Sequence, residues 1–378
     1  MHDFLLKELS NTNIETELKT IGFDNSYTHK AKNKFEYKNF KIFNLTPAQA
    51  NILKQTALSI GADCGTHREV IRGKIETSNV ILGGNISQLL QISEKLQRQP
   101  FGLKDLGELL KEKITLQQPK MTKIMGILNI TQNSFSDGGK YYNTDAAIKH
   151  LHQMINDGAD IIDIGAESTK PFSQAISADK QLEKLIPVLQ YLQTIPHPPI
   201  SIDTRSAKVA KKCLELGAEI INDVSGFDYD DKMADIMVNF PNAKIILQHS
   251  QGTPENMQIS PHYDNLMDEL YINLKTKVDF AISKGIKKEN IIIDPGIGFG
   301  KTKEHNIEIL RRWKEFKTIG CQILIGLSRK SFLEMPTAPN DEKDLYSLAF
   351  NSMLMRENID YIRVHNVAIH KNFQRILG

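Results

Sequence analysis

Along the last two thirds of this 378-residue chain, apolar runs end repeatedly in side chains that can carry charge or exchange hydrogen bonds. In order these are Asn129, Glu167 with Thr169, Asp203 with Arg205, Asn222, His249, Asp294, Arg329 with Lys330, and Arg363 with His365. Asp203, Asn222 and Asp294 offer carboxylates and an amide to the N–H groups and ring nitrogens of a polar heterocycle, and Lys330 offers a cation to its carbonyl. Arg363 and His365, two apart, share one face of an extended segment and can clamp an anion. Asn129 supplies a neutral oxygen for a hard cation such as Mg²⁺ bridging phosphate oxygens. The set suits a flat ring with a guanidine-like edge and a diphosphate, with Phe299 as a stacking or wall residue.

The stretch "DPGIGFGKT", residues 294–302, imitates a phosphate-cradling loop. A P-loop needs Gly, four residues, then Gly-Lys, and counting back from Gly300 puts Pro295 where the first glycine belongs. The dinucleotide pattern GxGxxG fails too, because the glycines fall at 296, 298 and 300. These glycines are better read as letting backbone approach a flat ligand beside Asp294.

Side chains so far apart in sequence need elements that gather them. Eight short β-rich runs precede the polar groups, at 123–130, 160–166, 199–204, 219–225, 244–250, 290–296, 322–328 and 360–366. Segments of helical periodicity lie between them, such as "AAIKHLHQMINDG" and "DNLMDELYINLKTKVDFAISKG", and several end at a Gly suited to a left-handed cap. Alternating strands and helices imply a parallel sheet, and eight such units fit a closed (β/α)8 TIM barrel of roughly 250 residues. All the strand ends then open onto one rim, the face on which this fold builds its sites. One polar residue at a strand end needs no function; eight on one rim ask for one.

A break at "LQQPKMT", residues 116–122, separates the barrel, 119–378, from residues 1–118, which read as a small α+β domain. It holds strand-like "KNFKIFNL", an N-capped helix "TPAQANILKQTALSIGAD", strand-like "HREVIRG" and "SNVILGG", and the helix "NISQLLQISEKLQRQP". Its basic run, Lys30, Lys32, Lys34, Lys38 and Lys41, is read as a solvated edge. A net charge of +2, with 24% charged and 40% hydrophobic residues, describes an ordinary globular protein and implies no nucleic-acid partner. No apolar stretch could span a bilayer, and three cysteines without a CxxC pair fit reduced thiols, so a cytoplasmic location is expected. His150 and His152 cannot share a helix face and HExxH is absent, which gives zinc no support. Trp313 is expected on a helix packed against the barrel.

The ordered motifs "MGILNIT…SFSDGG", "DIGAESTKP", "IDTR", "INDVSG", "QGTPENMQ", "DPGIGFGKT", "GLSRKSF" and "RVHNV" carry a resemblance. They are similar to the motif series of dihydropteroate synthase, the folate-pathway enzyme that sulfonamides inhibit. The resemblance covers residues 121–378 and implies an enzyme condensing 6-hydroxymethyl-7,8-dihydropterin diphosphate with p-aminobenzoate to 7,8-dihydropteroate. It implies Asp203, Asn222, Asp294, Phe299 and Lys330 as pterin residues, and Thr169, Lys330, Ser331 and Phe299 around p-aminobenzoate. Asn129, Arg363 and His365 would hold the diphosphate, with Asn129 on the Mg²⁺ cofactor. Asp203, Lys330, Arg363 and His365 would act in a Mg²⁺-assisted dissociative substitution at the exocyclic methylene, which needs no covalent enzyme intermediate. A homodimer is expected, and the N-terminal domain resembles an extension that some bacterial members carry.

The chain departs from the family pattern at Gln132 and Asn133 in the first loop, at Lys170 in place of Arg, at Gln248 in place of Met, and at Asn366 in place of Asp. The first-loop change bears on metal affinity and loop closure. Two other functions compete with the synthase. A pterin-dependent methyltransferase would not need "SRKS" beside "RVHNV", and a non-catalytic pterin binder would have no use for Asn129, Arg363 and His365 together.

Overall fold

A computed structural model describes residues 5–9, 14–115, 121–130, 140–167, 176–252, 261–333 and 338–377. The chain divides into two compact units, Met1–Gln117 and Gln118–Gly378.

The first unit contains α1 (Ile14–Thr20), α2 (Asn25–Lys32), β1 (Tyr37–Leu45), α3 (Pro47–Leu58), β2 (Asp63–Gly65), β3 (Ser78–Asn85), α4 (Ile86–Leu96) and α5 (Leu103–Ile114). Its antiparallel sheet has the order β1-β3-β2. Leu53, Val80, Leu82, Leu89, Ile92 and Leu96 form the core between sheet and helices. Two capping boxes start α3 and α4: Thr46 with Gln49 and Asn85 with Gln88 each exchange side-chain and backbone bonds, closing the free N–H groups of the first turn. One expectation fails here. "HREVIRG" forms a 3-10 turn, Val70–Arg72, closed by Gly73 at φ 63°, and the strand pairing with β3 is Asp63–Gly65. A left-handed Gly ends extended pairing at that point.

The second unit is a barrel closed by eight parallel strands: β4 (Lys123–Asn129), β5 (Ile161–Gly165), β6 (Ile200–Asp203), β7 (Ile220–Asp223), β8 (Lys244–Gln248), β9 (Ile291–Asp294), β10 (Gln322–Ile325) and β11 (Tyr361–Val364). The helices between and after them are α6 (Lys140–Asn156), α7 (Ala178–Leu192), α8 (Ala207–Glu215), α9 (Met233–Val238), α10 (Leu266–Lys284), α11 (Lys303–Arg312), α12 (Asn340–Arg356) and α13 (Val367–Leu377). Trp313 is fully buried but begins a 3-10 segment after α11, where its indole N–H donates to Glu357 Oε2 at 3.2 Å.

Strand alternation sorts the side chains. Met125, Ile161, Ile220, Ile246, Ile292, Leu324 and Tyr361 meet inside the barrel as an apolar plug, while the other parity faces the helices. Two residues further along five of these strands lie Asp163, Asn222, Gln248, Asp294 and Arg363, so the same inward parity that fills the plug presents the polar layer above it. Close helix packing depends on Gly126: a Cβ there would meet Met154 Sδ of α6 at 2.7 Å and Val367 Cγ2 of α13 at 2.8 Å. Gly126→Ala is therefore expected to lower barrel stability by about 1–3 kcal/mol, read as a shifted denaturant midpoint. An unchanged midpoint would mean that α6 and α13 move apart freely.

Candidate active site

The polar layer is built around Arg363. From β11 its Nε donates to Asp163 Oδ2 of β5 at 2.6 Å and its Nη2 to Asp203 Oδ2 of β6 at 2.7 Å. Asp163 also accepts from Asn222 Nδ2 of β7 at 3.1 Å. Burial pushes the Asp203 carboxyl up to about 7, against the pull of the guanidinium. Sequence reasoning paired Arg363 with His365; in the structure two of its donor groups are committed to the carboxylates of Asp163 and Asp203.

Asn129 stands at the end of β4, with its Oδ1 3.3 Å from where a Gly165 Cβ would lie; Asp203 Cβ is 3.4 Å from the same point. Gly165 thus leaves open the space between Asn129 and Asp203. His365 sits on the rim beside β11, with Nδ1 2.9 Å from Ser328 Oγ, and its backbone N–H donates to the same hydroxyl. Asn366 accepts the Ile369 N–H at 3.3 Å and so caps α13 despite lacking a carboxylate.

The glycine loop after β9 has an internal explanation. Asp294, its carboxyl raised by burial, accepts the Gly296 N–H at 2.7 Å. Gly296 has φ 71°, and a Cβ there would fall 1.9 Å from the His249 carbonyl oxygen; one on Gly300, φ 62°, would fall 2.5 Å from that of Gln251. Only glycine fits such contacts. Lys301, the apparent P-loop lysine, turns inward: buried, it donates to the Phe299 carbonyl at 3.0 Å and lies 3.0 Å from His249 Nδ1. Burial lowers Lys301 to about 7 and holds His249 neutral.

Lys330 reaches over this loop, donating to the Ile297 carbonyl and standing 4.4 Å above the Phe299 ring. Burial brings its ammonium down to about 8. Arg329 sets its direction. With φ 57° it forks onto the buried Asp344 of α12 through two 2.7 Å bonds, and its backbone N–H donates to Ser347 Oγ. Ser331 follows at the start of a short turn.

Other rim residues are supports. Glu167 accepts from Arg205, Gln181 and the Ile176 N–H, each at 3.3 Å. Gln248 is buried, with Nε2 3.4 Å from the Val224 carbonyl. Lys277 of α10 donates to the Ser225 carbonyl and to Asp228, bracing the end of β7. Thr169 and the substituted positions Gln132, Asn133 and Lys170 lie outside the described residues. Sequence reasoning missed Asp163, Lys277, Lys301 and Asp344. Strand parity could have found Asp163, whereas the other three act across long sequence separations. Among the described residues no group of three His, Cys, Asp or Glu side chains could hold a metal. A cation here would have Asn129 Oδ1 and otherwise ligand oxygens and water, a donor set that suits Mg²⁺.

The sequence pattern of the pterin-binding enzymes spans residues 125–365. Over 248 residues, 65% of this chain and 89% of the relative, the sequence is 41% identical to the dihydropteroate synthase of Clostridium beijerinckii. It is 30% identical to the bifunctional dihydropteroate synthase/dihydropteroate reductase of Helicobacter pylori across 97% of this chain and 96% of that one. The crystal structure of the Clostridium difficile dihydropteroate synthase, obtained in the presence of pteroic acid, superposes with a TM-score of 0.64 at 39% identity, covering 69% of this chain and 97% of that one. The chain belongs to the pterin-binding enzyme family, among its dihydropteroate synthases.

A pterin should bind best with Asp203 ionised and Lys330 protonated. Asp203 is ionised above about 7 and Lys330 is protonated below about 8, so affinity is expected to fall as pH drops through the first value and as it rises through the second. Lys330→Arg should move the alkaline limb upward, because guanidinium stays charged. Titration of pterin affinity against pH checks this, and an alkaline limb unmoved in the variant would assign it to another group.

Proposed function

We propose that the barrel joins 6-hydroxymethyl-7,8-dihydropterin diphosphate to p-aminobenzoate, giving 7,8-dihydropteroate and diphosphate. The observation that carries this reading is the donor and acceptor set of Asp203, Asn222 and Asp294, all buried, at the end of β6, next to the end of β7 and at the end of β9, with Lys330 above. The carboxylates take the ring N–H groups, Lys330 meets the carbonyl, and Phe299 forms a wall. The bond from the exocyclic methylene to the diphosphate oxygen breaks, and its electron pair leaves with diphosphate. Arg363 and His365 face the departing charge, and buried Asp203 and Asp294 stabilise the cation left on the ring. The amine nitrogen of p-aminobenzoate then forms the new bond to the methylene and sheds a proton to water, with Phe299 and Ser331 bordering its site. Mg²⁺, when bound beside Asn129, would neutralise diphosphate oxygens. Cysteines that read as thiols rather than a disulfide framework support a cytoplasmic setting for this chemistry.

The test is diphosphate release from the dihydropterin diphosphate with Mg²⁺, with and without p-aminobenzoate. Release tied to dihydropteroate is expected. Tight pterin binding without release would point to the non-catalytic alternative. Because the Helicobacter pylori relative, named as a synthase and a dihydropteroate reductase, also covers the N-terminal unit, the same assay should include a hydride-donating reductant. Tetrahydropteroate formation would add the second activity, and none would confine the chain to the synthase.

The same proposal includes a homodimer built on α12. Leu345 and Met353, 61% and 65% exposed, align with Ala349 on its outer face, while Asp344, Ser347 and Asn351 face inward. Light scattering should give twice the chain mass, and Leu345→Glu with Met353→Glu should halve it. A wild-type monomer at micromolar concentration would sink the dimer.

A further inference from the structure

Ser328 and His365 meet at the rim in a pair whose proton positions follow from its surroundings. Ser328 lies just past β10, in the turn that the Lys330 N–H closes onto the Leu327 carbonyl at 3.2 Å. Its neighbour Arg329 is locked by the fork onto Asp344 and by Ser347. The Ser328 hydroxyl is therefore a fixed, buried post, and His365, half-buried past the end of β11, leans on it twice. The His365 backbone N–H donates to Ser328 Oγ at 3.2 Å, and its ring Nδ1 lies 2.9 Å from the same oxygen.

A serine hydroxyl has one proton to give, and a neutral imidazole has one N–H and one lone pair. Ser328 Oγ already receives the backbone N–H, and among the described residues the acceptor for its own proton is Nδ1. A ring proton placed on Nδ1 would give that oxygen two N–H donors and leave its own proton without a partner. The neutral ring therefore carries its proton on Nε2. With Nδ1 spent on Ser328, a polar contact between this ring and an anion has to run through Nε2, and there the ring brings an N–H. The opposite tautomer would present a lone pair at that atom and repel the anion.

We propose that Ser328 is a positioning residue for the diphosphate: through Nδ1 it sets the orientation and tautomer of His365, so that the ring is an N–H donor at Nε2 even when uncharged. The inference rests on the reading of Arg363 and His365 as the diphosphate end of the site, and Ser328 does not itself have to touch the ligand.

Nitrogen NMR of the imidazoles in the full chain tests it, with the His365 signals assigned by their loss in His365→Gln. As pH is raised until the ring holds one proton, the wild-type protein should show Nε2 protonated and Nδ1 bare, a measurement that needs no variant to fold. In Ser328→Ala the signals should move toward those of an unrestrained imidazole. Affinity for inorganic diphosphate with Mg²⁺, read by calorimetry, should fall by roughly fivefold, while that for 6-hydroxymethylpterin changes less than about twofold. His365→Gln carries an amide N–H near the place of Nε2 and has no Nδ1, so on that background Ser328→Ala should cost less than about twofold. Ser328 still receives the backbone N–H there, so the cycle separates holding the ring from holding the chain. A wild-type ring with its single proton on Nδ1, or one that keeps two protons well into the alkaline range, would overturn the inference. So would a Ser328→Ala protein that binds diphosphate as wild type, or an equal loss on the His365→Gln background. No diphosphate binding by the wild-type protein would overturn the diphosphate reading itself and this role for Ser328 with it.

Discussion

A guanidinium placed at the mouth of a barrel must be compensated, and the Arg363 pairing with Asp163 and Asp203 is the interaction on which the site depends. Two buried carboxylates with no cation between them would repel, and a buried cation with one carboxylate would leave the other to take up a proton. The arrangement ties β11 to β5 and β6 across β4, at sequence separations of 200 and 160 residues. It also leaves Asp203 near the point where it can gain or lose a proton at neutral pH. Binding a ring that brings N–H donors relieves the crowding of acceptors that Arg363 only partly offsets.

The loops above are held by charges used in the opposite way. Lys301, Lys277 and Arg329 are spent on backbone carbonyls or a buried carboxylate and keep their heads out of the cavity. Lys330 alone among these cations stands over the site, and its direction follows from the left-handed Arg329 that precedes it. A non-glycine residue at φ 57° stores strain that the Asp344 fork and the Ser347 hydroxyl offset.

The fold was legible because each strand lies in a short apolar run with a polar residue at or just past its end, and periodicity reports burial on both faces directly. The polar layer at the rim was legible for the same reason, since Asp203 and Asp294 end their strands and Asn222 stands one residue from the end of its own. Asp163 was hidden inside "DIIDIGA" because attention to strand ends passed to Glu167 and Thr169, although parity with Ile161 already turned it inward. The setting of Arg363 was half legible: spacing placed it on one face with His365, but no local pattern discloses carboxylates some 200 residues away. Lys301 was read correctly as no P-loop lysine, yet its task under the loop depends on His249, 52 residues earlier. In the N-terminal unit, "HREVIRG" has strand composition but lacks a neighbour to pair with, and the turn wins.

Gly165 bears on how such an enzyme can vary. The room between Asn129 and Asp203 exists because one carbon atom is missing from a strand, at 3.3 Å and 3.4 Å from its neighbours. A single methyl group would occupy that point. That space is thus set by rigid β-structure, whereas Gln132, Asn133 and Lys170 come after β4 and β5 in the sequence. Substitutions outside the strands leave that space as the backbone of β4, β5 and β6 sets it.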